Sequence, residues 1–420
     1  MAGDMFPKQP RMVVDLSKSR RILSEHLPPF LRGWFVVIWP FLALLSVFYG
    51  FGVRLNALAY RLGFKKQTRL GVPVISIGNL TTGGTGKTPC TELVGRHLRE
   101  LGLRVAILSR GYGSKNGQPN DEAQVLEENL PDVPHLQGAD RVLTGHIAID
   151  ELDSEVILLD DGMQHLPLFR DLEIVLIDAT EPFGGDWLLP AGLLREPKAG
   201  LRRADAILLT RCDLVESCHL ENLQKQLGRL CPKAVIAWSI HEPKGWMDGY
   251  LPGEPLDLTD HPEGPVAAFC GIGNPEGFQA SLERLGLKVC DLKRFPDHHA
   301  YTAEDVSALE SWAESLPQGT WIATTQKDLV KLRVGELGSR KLLALRIGIR
   351  LTQGGERFLA LIDRKGLGGA DPMGFEPVPS PSTLPGPEMA LNTSNNAPHT
   401  DIENRDLGNP RIHPKALSAV

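Results

Sequence analysis

The chain has 420 residues, 42% of them hydrophobic, enough to bury one large core or two of ordinary domain size. A formal net charge of −6 gives no reason to expect nucleic acid as a partner. Six scattered cysteines without a C-x-x-C pair point away from a zinc site or a disulfide framework and toward reduced thiols in the cytosol.

Residues 1–33 are polar and proline-bearing, and little fixed structure is expected before Pro28. From Trp34 to Val53 no residue is charged, a length that just crosses a bilayer. Arg32 precedes this run, and Arg54, Arg61, Lys65, Lys66 and Arg69 follow it, with no acidic residue until Glu92. Leu55, Leu58, Ala59 and Leu62 recur at helical spacing beside those bases, as on an interfacial amphipathic helix. Residues 34–64 are therefore expected to anchor the chain at a membrane, crossing it or lying in its surface, with the basic flank in the cytosol.

Residues 65–234 read as a P-loop nucleotide-binding domain. Val72–Ile77 is an apolar, β-branched run; it enters the glycine-rich stretch ending Gly83-Gly-Thr-Gly-Lys-Thr88 and then a segment with helical periodicity over Thr91–Leu101. In a strand, loop and helix of this kind, successive backbone amides wrap a phosphate at a helix N-terminus. Lys87 reaches the β and γ oxygens, and the Thr88 hydroxyl ligates Mg²⁺. The nucleotide-binding set is Thr81, Thr82, Gly83, Gly84, Thr85, Gly86, Lys87 and Thr88; Thr81 stands where the P-loop pattern has its first glycine.

Short apolar strands are expected at Leu103–Ser109, Glu155–Asp161, Leu172–Asp178 and Ala204–Thr210, alternating with helical stretches. That pattern gives an α/β fold with a mainly parallel sheet covered on both faces. Ligands collect beyond the carboxyl ends of such strands, where this chain places Asn79, Ser109-Arg110, Asp160-Asp161, Asp178 and Arg211. Residues 235–261 weaken into a turn-rich linker. A second, smaller α/β domain is expected over 262–365, with strands at Pro265–Cys270, near Lys288, at Trp321–Thr325 and at Leu342–Ile347, and a helix near Gly277–Leu285. Residues 366–420 are rich in Gly, Pro, Ser and Asn and read as a disordered tail.

Asp160 and Asp161 end a strand downstream of the P-loop, the position from which a carboxylate holds Mg²⁺ directly or through water. The Asp160-Asp-Gly-Met-Gln-His165 segment, with the P-loop, Ser109-Arg-Gly-Tyr-Gly113, Leu188–Pro197 and Phe295-Pro-Asp-His-His299, resembles the tetraacyldisaccharide 4'-kinases of lipid A synthesis, in order from about Leu31 to Ile362. The resemblance implies two α/β domains with an N-terminal membrane-associating helix. It also implies ATP- and Mg²⁺-dependent phosphorylation of the 4' hydroxyl of an acylated glucosamine disaccharide, giving lipid IV(A), at the cytosolic face of the inner membrane. No stable protein partner is expected.

By the same resemblance Lys87 and Thr88 serve phosphate and metal, while Asp160, Asp161, Gln164 and Glu196 fall where the family binds the magnesium nucleotide. Asn120-Asp-Glu-Ala resembles the family's Gly-Asp-Glu-Pro segment, so Asp121 matches its catalytic acid and His298 the histidine paired with it. Met163, Leu193 and Asn120 depart from the family's usual Phe or Leu, Pro and Gly.

A sugar hydroxyl is a poor nucleophile at neutral pH and needs a base. Either Asp121 or His298 can act, the carboxylate raising the basicity of the imidazole. Arg195 can clamp phosphate or neutralise charge in the transition state. A membrane-bound P-loop ATPase acting on a protein partner is the competing reading; its signature lysine would fall at Thr82, and it has no need of an Asp–His pair.

Overall fold

A computed structural model of the chain describes residues 29–111, 120–249 and 251–368. Residues 1–28 of the expected polar segment 1–33, residues 369–420 of the expected tail 366–420, and residues 112–119 with Tyr112 and Gly113 of the Ser109–Gly113 motif, lie outside them.

Helix α1 (Pro29–Arg61) takes in the whole uncharged run with Pro40 inside it. Its inner stripe repeats every three or four residues: Trp39 and Ser46 are buried, and an added Cβ at Gly50 would meet Leu188 at 2.5 Å. The Trp39 ring stands edge-on to Trp187, the Ser46 hydroxyl donates to the Leu188 carbonyl at 2.8 Å, and the Tyr49 hydroxyl donates to the Arg195 carbonyl at 2.7 Å. The opposite face leaves Phe41, Leu44, Val47, Phe48, Phe51, Leu55 and Leu58 exposed. By length and composition the segment Ile38–Arg61 can cross a membrane.

The first lobe follows as β1 (Val74–Asn79), α2 (Lys87–Glu100), β2 (Val105–Ser109), α3 (Asp121–Asn129), β3 (His135–Gln137), α4 (Arg141–Asp150), β4 (Val156–Asp160), β5 (Leu172–Asp178), β6 (Ala206–Thr210) and α5 (Ser217–Leu230). Then come β7 (Val235–Asp248), β8 (Leu251–Leu256), β9 (Val266–Cys270), α6 (Pro275–Arg284), β10 (Val289–Arg294), α7 (Ala303–Ser315), β11 (Trp321–Thr325), α8 (Gln326–Leu332), β12 (Glu336–Leu337), β13 (Arg340–Gln353) and α9 (Gly355–Gly366).

One sheet runs through both lobes in the order β10-β9-β11-β13-β7-β6-β5-β1-β4-β2-β3. Neighbours are parallel except at the β13–β7 junction, where two 14-residue strands pair antiparallel from Leu343↔Asp248 to Gln353↔Trp238. Buried runs such as Val-Ile-Leu-Leu in β4 and Ala-Ile-Leu-Leu in β6 fill the middle of this sheet, and helices cover both faces. Separate apolar clusters form the second lobe around Trp246, Phe269, Trp321 and Trp312.

The expected linker at 235–261 is instead β7 and β8. Pro243 and Gly245 break its sequence pattern, and the register shifts beside them, between Arg346 and Ile347 of the partner strand, absorb the irregularity. The expected strand Leu342–Ile347 is likewise the middle of the longer β13, whose polar residues Arg346 and Arg350 interrupt its apolar alternation.

Candidate active site

The strand ends build the site. Strands β1, β2, β4, β5 and β6 finish at Asn79, Ser109, Asp160, Asp178 and Thr210, on the edge where α2 begins. The buried Asn79 side chain donates to the Thr85 hydroxyl at 2.8 Å, the Thr210 hydroxyl donates to the Thr85 carbonyl at 3.0 Å, and Arg211 donates to the Gly84 carbonyl at 2.7 Å. These bonds hold the loop open around its amides. Gly86 caps α2 at φ 91°, and a Cβ there would lie 2.7 Å from His241 Nε2, so no other residue fits without displacement. The backbones of Thr81 and Thr82 pair with the segment before Arg195: Thr81 bridges Leu194, and the Thr82 N–H donates to the Leu193 carbonyl at 2.8 Å. Gly83 to Thr88 form the loop and the first turn of α2.

Lys87 Nζ lies 3.7 Å from Asp161 Oδ1, bringing the P-loop and the strand-end carboxylates to one point. Arg195 grips Asp161 with two bonds of 2.8 Å and also bonds Asn79, so its fork is engaged by protein groups. Burial alone would raise the Asp161 pKa, but the Arg195 hydrogen bond and the charges of Lys87, Arg195 and Arg141 hold it well below the carboxylate range. Asp160, buried and facing the charge of Glu122, is displaced upward; the Thr91 hydroxyl donates to it at 3.2 Å. Thr91 was missed from sequence, although it lies one helical turn beyond Lys87 and Thr88 on the same helix.

Gln164 donates to the Asn79 carbonyl at 3.0 Å and to Glu196 at 2.8 Å, while Arg203 binds Glu196 at 2.9 Å from the other side. The Gln164 Oε1 atom is buried and has no hydrogen-bond donor. Among the described residues no three His, Cys, Asp or Glu side chains converge to cage a metal. An oxygen-rich edge with an undonated amide oxygen fits a largely hydrated Mg²⁺ that keeps several waters, rather than an all-protein site.

The other half of the site comes from both lobes. Asn120 caps α3, its side chain accepting from the Ala123 N–H at 2.9 Å, and so presents Asp121 at the first turn. His298, in the loop after β10, places Nδ1 at 3.1 and 3.2 Å from the two Asp121 oxygens. The Asp121 hydrogen bond raises the His298 pKa above the usual imidazole value, against burial and the charge of Lys327. Burial would raise Asp121, but the His298 bond and the charges of Lys327, His298 and Lys331 bring it down to about 2. A cleft lined by Gly84, Lys87 and Thr88 on the P-loop side also takes in Glu122, Asp297 and Lys327, the neighbours of this pair.

The sequence model of the tetraacyldisaccharide-1-P 4'-kinase family matches residues 38–365. The chain belongs to the tetraacyldisaccharide 4'-kinase family. Tetraacyldisaccharide 4'-kinases of Syntrophus aciditrophicus and Geobacter metallireducens are each 39% identical to it, over 340 and 311 residues, which is 75% and 69% of this chain and 89% and 88% of theirs. A crystal structure of the "apo" form of LpxK from Aquifex aeolicus in complex with ATP aligns with a TM-score of 0.61 at 31% identity, covering 79% of this chain and 98% of that one. The chain is thus a phosphotransferase of lipid A biosynthesis, with the P-loop fold and apolar N-terminal helix read from its sequence.

Proposed function

We propose that this kinase transfers the γ-phosphate of ATP to the 4' hydroxyl of a tetraacylated glucosamine disaccharide 1-phosphate, forming lipid IV(A) at the cytosolic face of the inner membrane. The observation that carries the reading is the cleft lined by Lys87 and Thr88 of the P-loop and by Glu122, Asp297 and Lys327, each next to Asp121 or His298, along which a bound triphosphate and a sugar hydroxyl would meet. Within it the amides from Gly83 to Thr88 and the N-terminus of α2 bind the phosphates, and Lys87 neutralises the β and γ oxygens. His298, oriented by Asp121, takes the hydroxyl proton as the new P–O bond forms and the bond to the β,γ-bridging oxygen breaks.

Thr88, Asp160, Asp161, Gln164 and Glu196 would hold Mg²⁺, which when bound offsets charge on the transferring phosphoryl group. Arg195 acts here by fixing Asp161 beside Lys87. The exposed apolar face of α1 lies in the membrane and brings the enzyme to its lipid, since an isolated patch of that size is otherwise costly in water. The test is incubation with γ-labelled ATP and the acylated disaccharide in detergent. Label should appear in the lipid; label released only as inorganic phosphate would remove the reading.

A further inference from the structure

Lys327, the second residue of α8, has no place in the mechanism so far. Its Nζ lies 3.1 Å from His298 Nε2, the ring nitrogen facing away from Asp121. Three carboxylates surround the same ammonium: Glu122 at 3.6 Å, Asp121 at 4.0 Å and Asp297 at 4.0 Å. Lys327 also lines the cleft that contains Lys87 and Thr88. Lys331 and Asp328 of the same helix are engaged elsewhere, Lys331 on Asp121 and the His299 carbonyl and Asp328 on the Gly271 N–H. His299 turns away to Asp305 at 2.9 Å.

The two neighbours of His298 fix its protonation by their chemistry. A carboxylate only accepts, so Nδ1 carries the proton that bonds Asp121; an ammonium only donates, so Nε2 keeps its lone pair toward Lys327. The pair together selects a neutral imidazole whose open nitrogen faces Lys327, a lining residue of the cleft.

We propose that Lys327 is a positioning residue that holds His298 in this base-competent form until the acceptor hydroxyl takes its place at Nε2. The inference rests on the assignment of His298 as the base. Without Lys327, Asp121 alone would favour the imidazolium, which has no lone pair to receive a proton. When the hydroxyl arrives, the ammonium has Glu122 and Asp297 to move to, and the proton passes from the acceptor oxygen to Nε2.

The experiment is the pH dependence of kcat/KM for the acylated disaccharide in wild type, Lys327→Met, Lys327→Gln, Lys327→Arg and His298→Gln, with ATP affinity measured for each. Loss of the cation should move the acid limb to higher pH, costing about threefold to tenfold at its acid end and little on the alkaline plateau. Lys327→Arg should keep the limb near the wild-type position. An unmoved limb in both neutral variants, with the limb abolished in His298→Gln, overturns the role of Lys327 and leaves the base assignment standing. A wild-type limb and rate in His298→Gln overturns both.

Discussion

Replacing Asp121 by Asn keeps the shape of the pair and removes its charge. In the wild type a carboxylate lies 3.1 Å from Nδ1 and, in the proposed mechanism, faces the imidazolium that forms as His298 takes the proton. Two unit charges about 4 Å apart attract by roughly 4 kcal/mol at an effective dielectric constant of about 20. The His298 side chain is 51% exposed, so solvent screens part of that, leaving about 2–3 kcal/mol. At about 1.4 kcal/mol per factor of ten, Asp121→Asn should lower kcat roughly a hundredfold. The pH profile gives a second sign. In that mechanism neutral His298 is the active form, and Asp121 raises its pKa, so wild-type activity should fall as pH drops through a value above that of an ordinary imidazole. Removing the carboxylate should move that limb to lower pH while the plateau falls. Initial rates of label transfer from ATP at saturating lipid, from pH 5.5 to 9, measure both. A kcat within about threefold of wild type, or a change confined to the KM for ATP, would refute the argument.

Lys87→Ala should abolish label transfer, because in the proposed mechanism the ammonium that meets Asp161 at 3.7 Å is also the one that reaches the transferred phosphate; turnover near wild type would rule out the P-loop mechanism. Phe41→Ser, Phe48→Ser and Phe51→Ser together should weaken sedimentation with phosphatidylethanolamine–phosphatidylglycerol vesicles at least a hundredfold. Each buried ring is worth about 1.5–3 kcal/mol, and unchanged binding would place the anchor elsewhere. Arg346→Met should cost about 2 kcal/mol in urea unfolding. It strands Glu92, now bonded to Arg346 at 2.6 Å, with only Arg96 and Asn129 as remaining partners.

The site was legible in sequence where its groups are contiguous. Gly83–Thr88 and Asp160-Asp161 each carry their chemistry within a few residues, and the strand preceding each fixes the edge on which they appear. The Asp121–His298 pair spans 177 positions, so only resemblance to a family brought the two together. Lys327, Arg203 and the Glu92–Arg346 pair left no trace, since a lone cation on a short helix or in a strand looks like solvated surface until the fold supplies its partner. Strand β7 was hidden for a different reason. Its register shifts let Pro243 and Gly245 sit inside a long pairing, so residues that usually end a strand here only bend it.

Backbone strain is the part of the site furthest from any sequence pattern. Asp161, Arg211 and His298 hold φ of 51°, 55° and 57°, a left-handed conformation that non-glycine residues adopt at a cost of about 1–2 kcal/mol each. Asp161 and Arg211 follow strands at the ligand edge and His298 lies in the loop after β10, and each is held by a partner with charge: Asp161 by Arg195, Arg211 by Asp178, His298 by Asp121. Glycine at these positions would relieve the strain and remove the functional group with it. At Asp161 and His298 the ion pair therefore has two effects at once, shifting the protonation of the group and holding a turn whose own conformation is unfavourable.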